Sequence, residues 1–310
     1  MASKGRILQL QNYSVNDGDG IRTTIFFAGC PLRCRWCANP EGYTPKNQIL
    51  YVASRCIGCR RCEAVCPEGI PFDFQSPQAR ERCMGCGACV DACLEKARKN
   101  TVTEYTVDEI VAKLESQLRF FRNSGGGVTY SGGECTMQAE FLAELVDAVY
   151  DMGLDQAIET SAYFDLEALQ PTLDKIDLLF LDIKHMDRDK HLAFTGVDND
   201  LILRNIAALG AQRGGIVVRI PTIMGVNGDD DNISRTAQFV KDHLRDPQIE
   251  LLPYHPYGVD KYVQLGMPYD EGEFRTPTQE ELQHLTDIIE REGVRAVSFK
   301  GEFTIQVQHL

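Results

Sequence analysis

The sequence predicts an α/β protein with a parallel sheet and a cysteine-rich insertion. Short apolar runs rich in β-branched residues alternate with longer segments of helical periodicity, a pattern typical of repeated βα units. Most of these runs are too apolar to leave one face in water, as expected for parallel strands that helices cover on both sides. Eleven of the twelve cysteines lie within residues 30–93 and interrupt the alternation after its first strand.

Six βα units are predicted along the chain. Their strands are expected at residues 21–28, 127–131, 156–160, 177–183, 215–220 and 248–253, with a further strand at 295–300. A helix is expected to begin at Thr106, because Thr106 and Glu109 have the spacing of a capping box and Ile110 starts an apolar helix face. Later helices are expected at residues 139–152, 202–209, 234–244 and 279–292. The chain then divides into a scaffold of residues 1–48 and 101–310 and an insertion of residues 49–100.

The composition excludes several classes of protein. At 310 residues the chain can form one large domain with an insertion, and a small scaffold held by disulfides is excluded. The formal net charge of −13 argues against a nucleic-acid partner, because binding to phosphate groups requires a basic surface. No apolar run has the length of a membrane span, and the first residues lack the apolar core of a secretory signal. A cytoplasmic protein without a membrane partner is therefore expected.

Two groups of cysteines repeat the spacing C-x2-C-x2-C-x3-C. In bacterial ferredoxins with this spacing, three close cysteines hold one [4Fe–4S] cluster and the fourth crosses to the other cluster. The repeat predicts one cluster on Cys56, Cys59, Cys62 and Cys93 and another on Cys83, Cys86, Cys89 and Cys66. Two four-cysteine zinc sites are the alternative, but zinc does not need the additional close cysteines. Disulfides are disfavoured in a reducing cytosol.

The first group of cysteines has only three members, Cys30, Cys34 and Cys37, with the spacing C-x3-C-x2-C. Three thiolates leave one iron of a [4Fe–4S] cluster without a protein ligand. Like the open position of a catalytic zinc ion, such an iron can bind substrate or cofactor. We therefore interpret this group as catalytic.

Polar residues and glycines follow the predicted strands at their carboxyl ends, where α/β proteins bind ligands. In chain order they are Cys30, Gly132, Gly133, Glu134, Glu159, Thr160, Asp182, Lys184, Arg219 and His255. Each residue alone is compatible with a turn or a surface contact, but their shared position predicts one site.

The sequence resembles the activating enzymes of glycyl radical enzymes, a radical S-adenosylmethionine (SAM) family. The resemblance is carried by NDGDGIRTTIFFAGCPLRCRWCANPEG, GGGVTYSGGE, LFLDIKH and LLPYHPYG, and members with two additional clusters share the cysteine arrangement of residues 56–93. It implies a partial (β/α)6 barrel of the TIM type, open at its side to the glycine loop of a partner protein. It also implies reductive cleavage of SAM to a 5′-deoxyadenosyl radical, which abstracts a Cα hydrogen from that glycine.

The resemblance further implies a role for individual residues. Cys30, Cys34 and Cys37 would hold the SAM-binding cluster. The residues expected to contact SAM are Trp36, Ala38, Gly132, Gly133, Glu134, Asp182, Lys184, Arg219 and His255. A monovalent cation is expected at Glu159, Thr160 and Asp182, and Asp17 is expected to face the partner's glycine loop.

Flavodoxin or ferredoxin is the expected electron donor to the two clusters of the insertion, although a purely structural or docking role for those clusters fits the sequence equally well. A radical SAM enzyme with another substrate and a non-catalytic iron–sulfur electron carrier are the alternatives for the whole chain.

Overall fold

A computed structural model describes residues 3–74, 76–269, 272 and 274–299. The strands in this part of the chain are β1 (Lys4–Ser14), β2 (Arg22–Phe27), β3 (Ile49–Tyr51), β4 (Arg98–Asn100), β5 (Thr103–Thr106), β6 (Gly127–Gly132), β7 (Asp155–Thr160), β8 (Leu178–Asp182), β9 (Ile216–Thr222), β10 (Gln248–Pro253) and β11 (Arg295–Val297). The α-helices are α1 (Arg61–Ala64), α2 (Pro77–Arg82), α3 (Ala88–Asp91), α4 (Val107–Glu115), α5 (Leu118–Ser124), α6 (Ala139–Asp151), α7 (Leu166–Leu173), α8 (Arg188–Thr195), α9 (Asp200–Gln212), α10 (Asp230–His243), α11 (Val259–Leu265) and α12 (Gln279–Arg291). Short 3-10 helices cover Pro40–Tyr43, Ala53–Arg55, Cys135–Gln138 and Pro256–Gly258.

Nine of the described strands form one mixed sheet in the order β11-β10-β9-β8-β7-β6-β2-β1-β5. The seven strands from β2 to β11 in this order are parallel, and β1 and β5 extend the β2 edge in antiparallel fashion. Because β11 and β5 are the two ends of the order, the sheet does not close into a full barrel. The six predicted βα units and the further strand are confirmed, within a TIM-like α/β fold.

The two faces of the sheet have different contents because side chains alternate along each strand. One face belongs to the main core, with Ile25, Ile158 and Val218 fully buried against the helices. The opposite face carries a small separate cluster of Ala157, Phe180 and Val217. Side chains two residues further along the same strands, at Glu159, Asp182 and Arg219, share that second face and line a cavity. The interior of the partial barrel therefore becomes polar towards the carboxyl ends of its strands.

The helix expected at Thr106 begins there with the predicted capping box. The Thr106 hydroxyl accepts from the Glu109 backbone N–H at 3.2 Å, and the Glu109 carboxylate accepts from the Thr106 N–H at 2.8 Å. Ile110 and Leu114 then pack from α4 into the main core, as the apolar periodicity indicates. The strand expected at residues 295–300 is β11, which ends at Val297, and residue 300 lies outside the described part of the chain.

The segment of residues 49–100 leaves and re-enters the scaffold at neighbouring points. Strands β3 and β4 pair in antiparallel fashion, with Ile49 opposite Asn100 and Tyr51 opposite Arg98. Between them lie α1, α2 and α3 and a separate small core that includes Ile70 and Phe74. The two ends of this pair lie at the predicted boundaries of the insertion, residues 49 and 100. The division of the chain into scaffold and insertion stays a prediction. No described helix combines the length and apolar character that crossing a membrane would require.

Candidate functional site

A cavity of about 480 Å³ lies at the carboxyl ends of the parallel strands. It is lined by all but one of the residues predicted outside the cysteine-rich insertion: Asp17, Cys30, Cys34, Trp36, Cys37, Ala38, Gly132, Gly133, Glu159, Thr160, Asp182, Lys184, Arg219 and His255. These residues come from five strand ends, those of β6 to β10, and from the two loops that flank β2. The strand pattern predicted that residues at the carboxyl ends of the strands lie close together, and in the structure they line one cavity.

The loop after β2 carries the three cysteines and is held by its backbone. The Arg33 N–H donates to the Thr195 carbonyl at 2.6 Å, which ties the loop to the end of α8. On the other side, the Tyr43 hydroxyl donates to the Cys34 carbonyl at 2.9 Å and the Tyr262 hydroxyl donates to the Cys37 carbonyl at 3.1 Å. These contacts fix the main chain and leave the three thiols facing the cavity.

The three thiols fit a metal cluster that leaves one position open. Burial raises the pKa of Cys30 and of Cys34 to about 12 and also raises the pKa of Cys37. Buried thiolates therefore need a positive partner, and the irons of a cluster supply one. Lys184 also acts on Cys34, in the direction that lowers its pKa.

Two of the aromatic side chains that border the cavity, Trp36 and His255, are predicted SAM contacts. Trp36 is 8% exposed and packs against Phe194 and Phe274, with ring centroids 6.1 Å and 6.2 Å away. It therefore belongs to a small core cluster and lines the cavity with its remaining surface. His255 is exposed and stacks on Tyr257 at a centroid distance of 4.5 Å. The two groups offer planar surfaces suited to an adenine ring.

The Gly132-Gly133 turn brings backbone close to the cavity. Gly132 has φ of 115°, which disfavours any side chain, and a Cβ on Gly133 would lie 2.4 Å from the Gly29 carbonyl oxygen. The Gly133 N–H donates to the Phe27 carbonyl at 2.9 Å, so the turn is joined to the end of β2. Glycine at both positions lets the turn pack directly beneath the cysteine loop.

Glu134 is the predicted site residue that does not line the cavity. Its side chain is buried and accepts from the Thr160 hydroxyl at 2.7 Å, the Ser161 N–H at 2.9 Å and the Ser161 hydroxyl at 2.6 Å. The carboxylate thus joins the end of β6 to the end of β7. This geometry favours support of the turn over direct contact with a ligand, and the role of Glu134 stays a prediction.

An ion-pair network in the barrel interior lines part of the cavity. Arg219 donates to Glu250 at 2.8 Å and to Glu159, and its guanidinium lies 3.4 Å from the centre of the Phe180 ring. Burial raises the pKa of Glu159, and Arg219 opposes that shift. One guanidinium is therefore shared between the side chains of two strands, Glu159 of β7 and Glu250 of β10.

Lys184 forms the second ion pair of the cavity. Its Nζ lies 2.8 Å from the Asp182 carboxylate. Burial on its own lowers the pKa of Lys184, but the carboxylate outweighs it and the pKa is raised overall. The lysine is therefore held in its charged form beside the cysteine loop.

The three residues predicted to bind a monovalent cation each have a protein partner. Glu159 pairs with Arg219, Asp182 pairs with Lys184, and the Thr160 hydroxyl donates to Glu134. In the described part of the chain, no three His, Cys, Asp or Glu side chains lie close enough to hold one metal ion. The cation stays a prediction.

Asp17 lies on the loop between β1 and β2, which reaches into the barrel interior. Its carboxylate accepts from the Ser14 hydroxyl at 2.6 Å and from the Thr24 hydroxyl at 2.5 Å. The neighbouring Asn16 carbonyl accepts from Arg219 at 3.3 Å. The predicted partner-facing loop is thus joined to the ion-pair network.

Some residues of the site were missed by the sequence analysis. Glu250 had a signal that could have been used, because it is the one charged residue in the predicted strand QIELLP. Tyr262 had none, because its hydroxyl meets the Cys37 carbonyl from a helix far along the chain. Tyr43 lies nine residues after Cys34, but the sequence carries no pattern for the hydrogen bond of its hydroxyl to the Cys34 carbonyl. Cys135 is fully buried in the main core, which agrees with its omission from the predicted ligands.

Two smaller cavities lie within residues 49–100, and cysteines line both. The first is lined by Cys56, Cys59, Cys62 and Cys93. The second is lined by Cys62, Cys66, Cys83, Cys86 and Cys89. In each cavity the fourth cysteine of one repeat lies with the three close cysteines of the other repeat, as the crossed pairing requires. The donor sets therefore fit two clusters.

Comparison with known proteins identifies the family. The model of the Radical SAM superfamily matches residues 24–240. The 4-hydroxyphenylacetate decarboxylase activating enzyme of Clostridium scatologenes is 42% identical over 301 residues and covers 93% of this chain and 95% of the relative. The trans-4-hydroxy-L-proline dehydratase activating enzyme of Clostridioides difficile is 39% identical and covers 92% of this chain and 95% of the relative.

The chain belongs to the glycyl radical enzyme activating enzymes. The choline trimethylamine-lyase activating enzyme of Oleidesulfovibrio alaskensis, 38% identical over 86% of this chain and 88% of its own length, agrees with this assignment. A radical SAM methyltransferase from Sphaerobacter thermophilus matches with a TM-score of 0.54 and 14% identity, over 94% of this chain and 76% of that one, and supports the fold.

The predicted family and activity are confirmed. The activating enzyme uses SAM to generate a 5′-deoxyadenosyl radical and thereby creates a glycyl radical on a partner enzyme. Membership of the superfamily also implies a [4Fe–4S] cluster together with SAM.

Proposed function

We propose that this activating enzyme holds three [4Fe–4S] clusters and binds SAM in the 480 Å³ cavity. The observation that carries the proposal is the joint position of Cys30, Cys34 and Cys37 with the charged pairs in one open cavity. A cluster bound there supplies the electron that cleaves SAM. The protein contributes the binding, the orientation and the electrostatic field.

The side chains around the cavity have complementary tasks toward SAM. Lys184, which Asp182 keeps charged, offers a cation to the methionine carboxylate, and the Gly132-Gly133 turn offers backbone groups to the methionine amino group. Trp36 and His255 present flat surfaces to the adenosine. Because none of these tasks transfers a proton, the site needs no general acid or base.

The two cavities of residues 49–100 hold the other clusters in the crossed pairing. Electrons arrive from flavodoxin or ferredoxin at this segment. Three apolar side chains beside cluster cysteines are more than half exposed, and they offer a docking surface to such a donor: Ile57, Met84 and Leu94.

The partner is a glycyl radical enzyme whose glycine loop enters the open cavity and approaches Asp17, one of the residues that line it. The relatives named above activate a decarboxylase, a dehydratase and a lyase at 38–42% identity. That narrow range favours no one of these partners for this chain. Incubation with each of the three enzymes, followed by electron paramagnetic resonance (EPR) of the glycyl radical, would select among them.

The first experiment is anaerobic reconstitution with iron and sulfide, then reduction by dithionite in the presence of SAM. We expect about twelve iron atoms per chain, four for each of the three clusters, and formation of 5′-deoxyadenosine. Cys34→Ala should abolish 5′-deoxyadenosine, and Cys135→Ala, at a buried cysteine outside the three groups, should not. Full cluster loading without 5′-deoxyadenosine in the wild type would contradict the proposed SAM site.

A further inference from the structure

Arg98 is a buried cation placed between the two cysteine-lined cavities. It is the first residue of β4 and lies opposite Tyr51 of β3. The side chain is 4% exposed, and its guanidinium lies 5.2 Å from the Tyr51 ring centre and 4.8 Å from that of Phe74. One terminal nitrogen donates to the Phe72 carbonyl at 2.6 Å. Arg98 lines both cavities, and Cys62 is the one cysteine that does the same.

Arg98 has no carboxylate partner among the residues that the structure describes. A buried guanidinium without an opposite charge is costly, so such groups are found beside anions. Groups that can become anionic do line both cavities with Arg98. They are the thiols of Cys56, Cys59, Cys62 and Cys93 in one cavity and of Cys62, Cys66, Cys83, Cys86 and Cys89 in the other.

We propose that Arg98 is the shared counter-charge of the two clusters in residues 49–100 and raises the reduction potential of both. This inference rests on the proposed function, because it requires clusters in both cavities. Each one-electron reduction adds a negative charge to a cluster, and a fixed positive charge in a water-poor interior stabilises the reduced form. A cation between the two sites acts on both at once, so one residue shifts both potentials in the same direction.

Arg60 provides a matched comparison. It also lines one of the two cavities, but its side chain is 67% exposed and pairs with Glu63 at 3.3 Å. Solvent and the carboxylate screen that charge, so its effect on a cluster should be small. Burial and position between the cavities distinguish Arg98.

The test is an EPR-monitored redox titration of the full chain carrying Cys30→Ala, Cys34→Ala and Cys37→Ala, so that only the two proposed clusters of the insertion contribute. In this background Arg98→Gln should lower both midpoint potentials. We expect at least a tenfold change in the one-electron equilibrium constant, which corresponds to about 59 mV. Arg98→Lys should keep both potentials near those of the parent, and Arg60→Gln should change neither.

The remaining outcomes each decide the inference. Unchanged potentials in a fully loaded Arg98→Gln variant would overturn it. If Arg98→Gln does not load, Arg98→Met replaces it; loss of clusters in both neutral variants but not in Arg98→Lys supports the need for charge. Loss in all three variants would mean that the shape of arginine matters, and would overturn the inference. A parent chain that binds no iron in residues 49–100 would instead refute the proposed clusters. Measuring the iron content of the parent therefore distinguishes failure of the proposed clusters from failure of the inference about Arg98.

Discussion

Individual residues of the cavity differ in how far the sequence could predict them. The cysteines, glycines and charged residues at strand ends were predicted because their types and spacings carry chemical information. The inward direction of the Glu134 carboxylate was not predictable, since it depends on the hydroxyls of Thr160 and Ser161 meeting it from the next strand. The contact of Tyr262 with Cys37 was not predictable for the same reason, because a contact between distant segments leaves no local pattern.

Glu250 should stabilise the fold through Arg219. It is almost fully buried, accepts from Arg219 at 2.8 Å and accepts from the Phe299 N–H at 2.8 Å. Glu250→Gln removes the charge but keeps an acceptor, so we expect a loss of about 1–3 kcal/mol in the free energy of unfolding. Urea denaturation of the cluster-free protein measures it.

The control for Glu250 is Glu104→Gln, which removes a carboxylate that is 53% exposed and lies 3.6 Å from Lys4. This exposed pair should contribute less than about 1 kcal/mol. Equal losses in the two variants would contradict a special role for the buried network.

The cysteines should differ in reactivity when no cluster is bound. Burial raises the pKa of Cys30 and Cys34 to about 12, whereas a hydrogen bond from Tyr51 lowers the pKa of Cys56. Because the thiolate is the reactive form, iodoacetamide at about pH 7.5 should label Cys56 at least about tenfold faster. Below its pKa a thiol gains thiolate as pH rises, so labelling of Cys34 should increase by about tenfold per pH unit. Peptide mass spectrometry would detect either pattern, and equal pH-independent rates would refute it.

At the scale of elements, the sequence predicted the strands and helices that have a regular pattern of apolar residues. The parallel strands were found because they are continuous apolar runs that both faces of the sheet bury. Strand β1 was missed because it is not a continuous apolar run: exposed and buried residues are mixed along it, and several of them are polar. Helices α7 and α8 were missed as well: α7 contains Pro171, and α8 is largely polar, with His191 and Thr195 as its buried residues.

The capping box of α4 should contribute measurably to stability. Thr106→Ala removes the hydroxyl that accepts from the Glu109 N–H, so we expect a loss of about 1 kcal/mol in the free energy of unfolding. Ser116→Ala at the other end of α4 is the control, because the exposed Ser116 hydroxyl donates to the Lys113 carbonyl and accepts from the Gln117 side chain but caps no backbone N–H. Thermal denaturation of both variants would compare them, and a larger loss from Ser116→Ala would contradict the prediction.

At the scale of the whole molecule, α11 connects the insertion to the cysteine loop. From one side, Arg80 donates to the Ile49 carbonyl at 2.6 Å and to the Gln264 carbonyl at the end of α11 at 2.7 Å. From the other, Lys261 of α11 donates to Asn39 at 2.7 Å and Tyr262 donates to Cys37. One short helix therefore contacts both parts of the chain that carry clustered cysteines.

Arg80→Met should loosen this connection. We expect faster amide hydrogen exchange in β3 and α11, because both carbonyl contacts are lost, with little change in the parallel strands. Arg82→Met is the matched control, since Arg82 donates to the Glu68 carbonyl within the insertion and does not bridge to α11. Mass spectrometry of both variants would show the difference. Equal exchange in α11 would mean that the insertion is held by other contacts.

The pairing of β3 with β4 has a consequence for how such a chain can change over generations. Ile49 lies opposite Asn100, so the path of the main chain leaves the barrel and returns to it at almost one point. A segment attached in this way can lengthen, shorten or be exchanged without moving any strand of the large sheet. A change in the gene can therefore add or remove this cysteine-rich segment as a single piece while the strands of the large sheet keep their geometry.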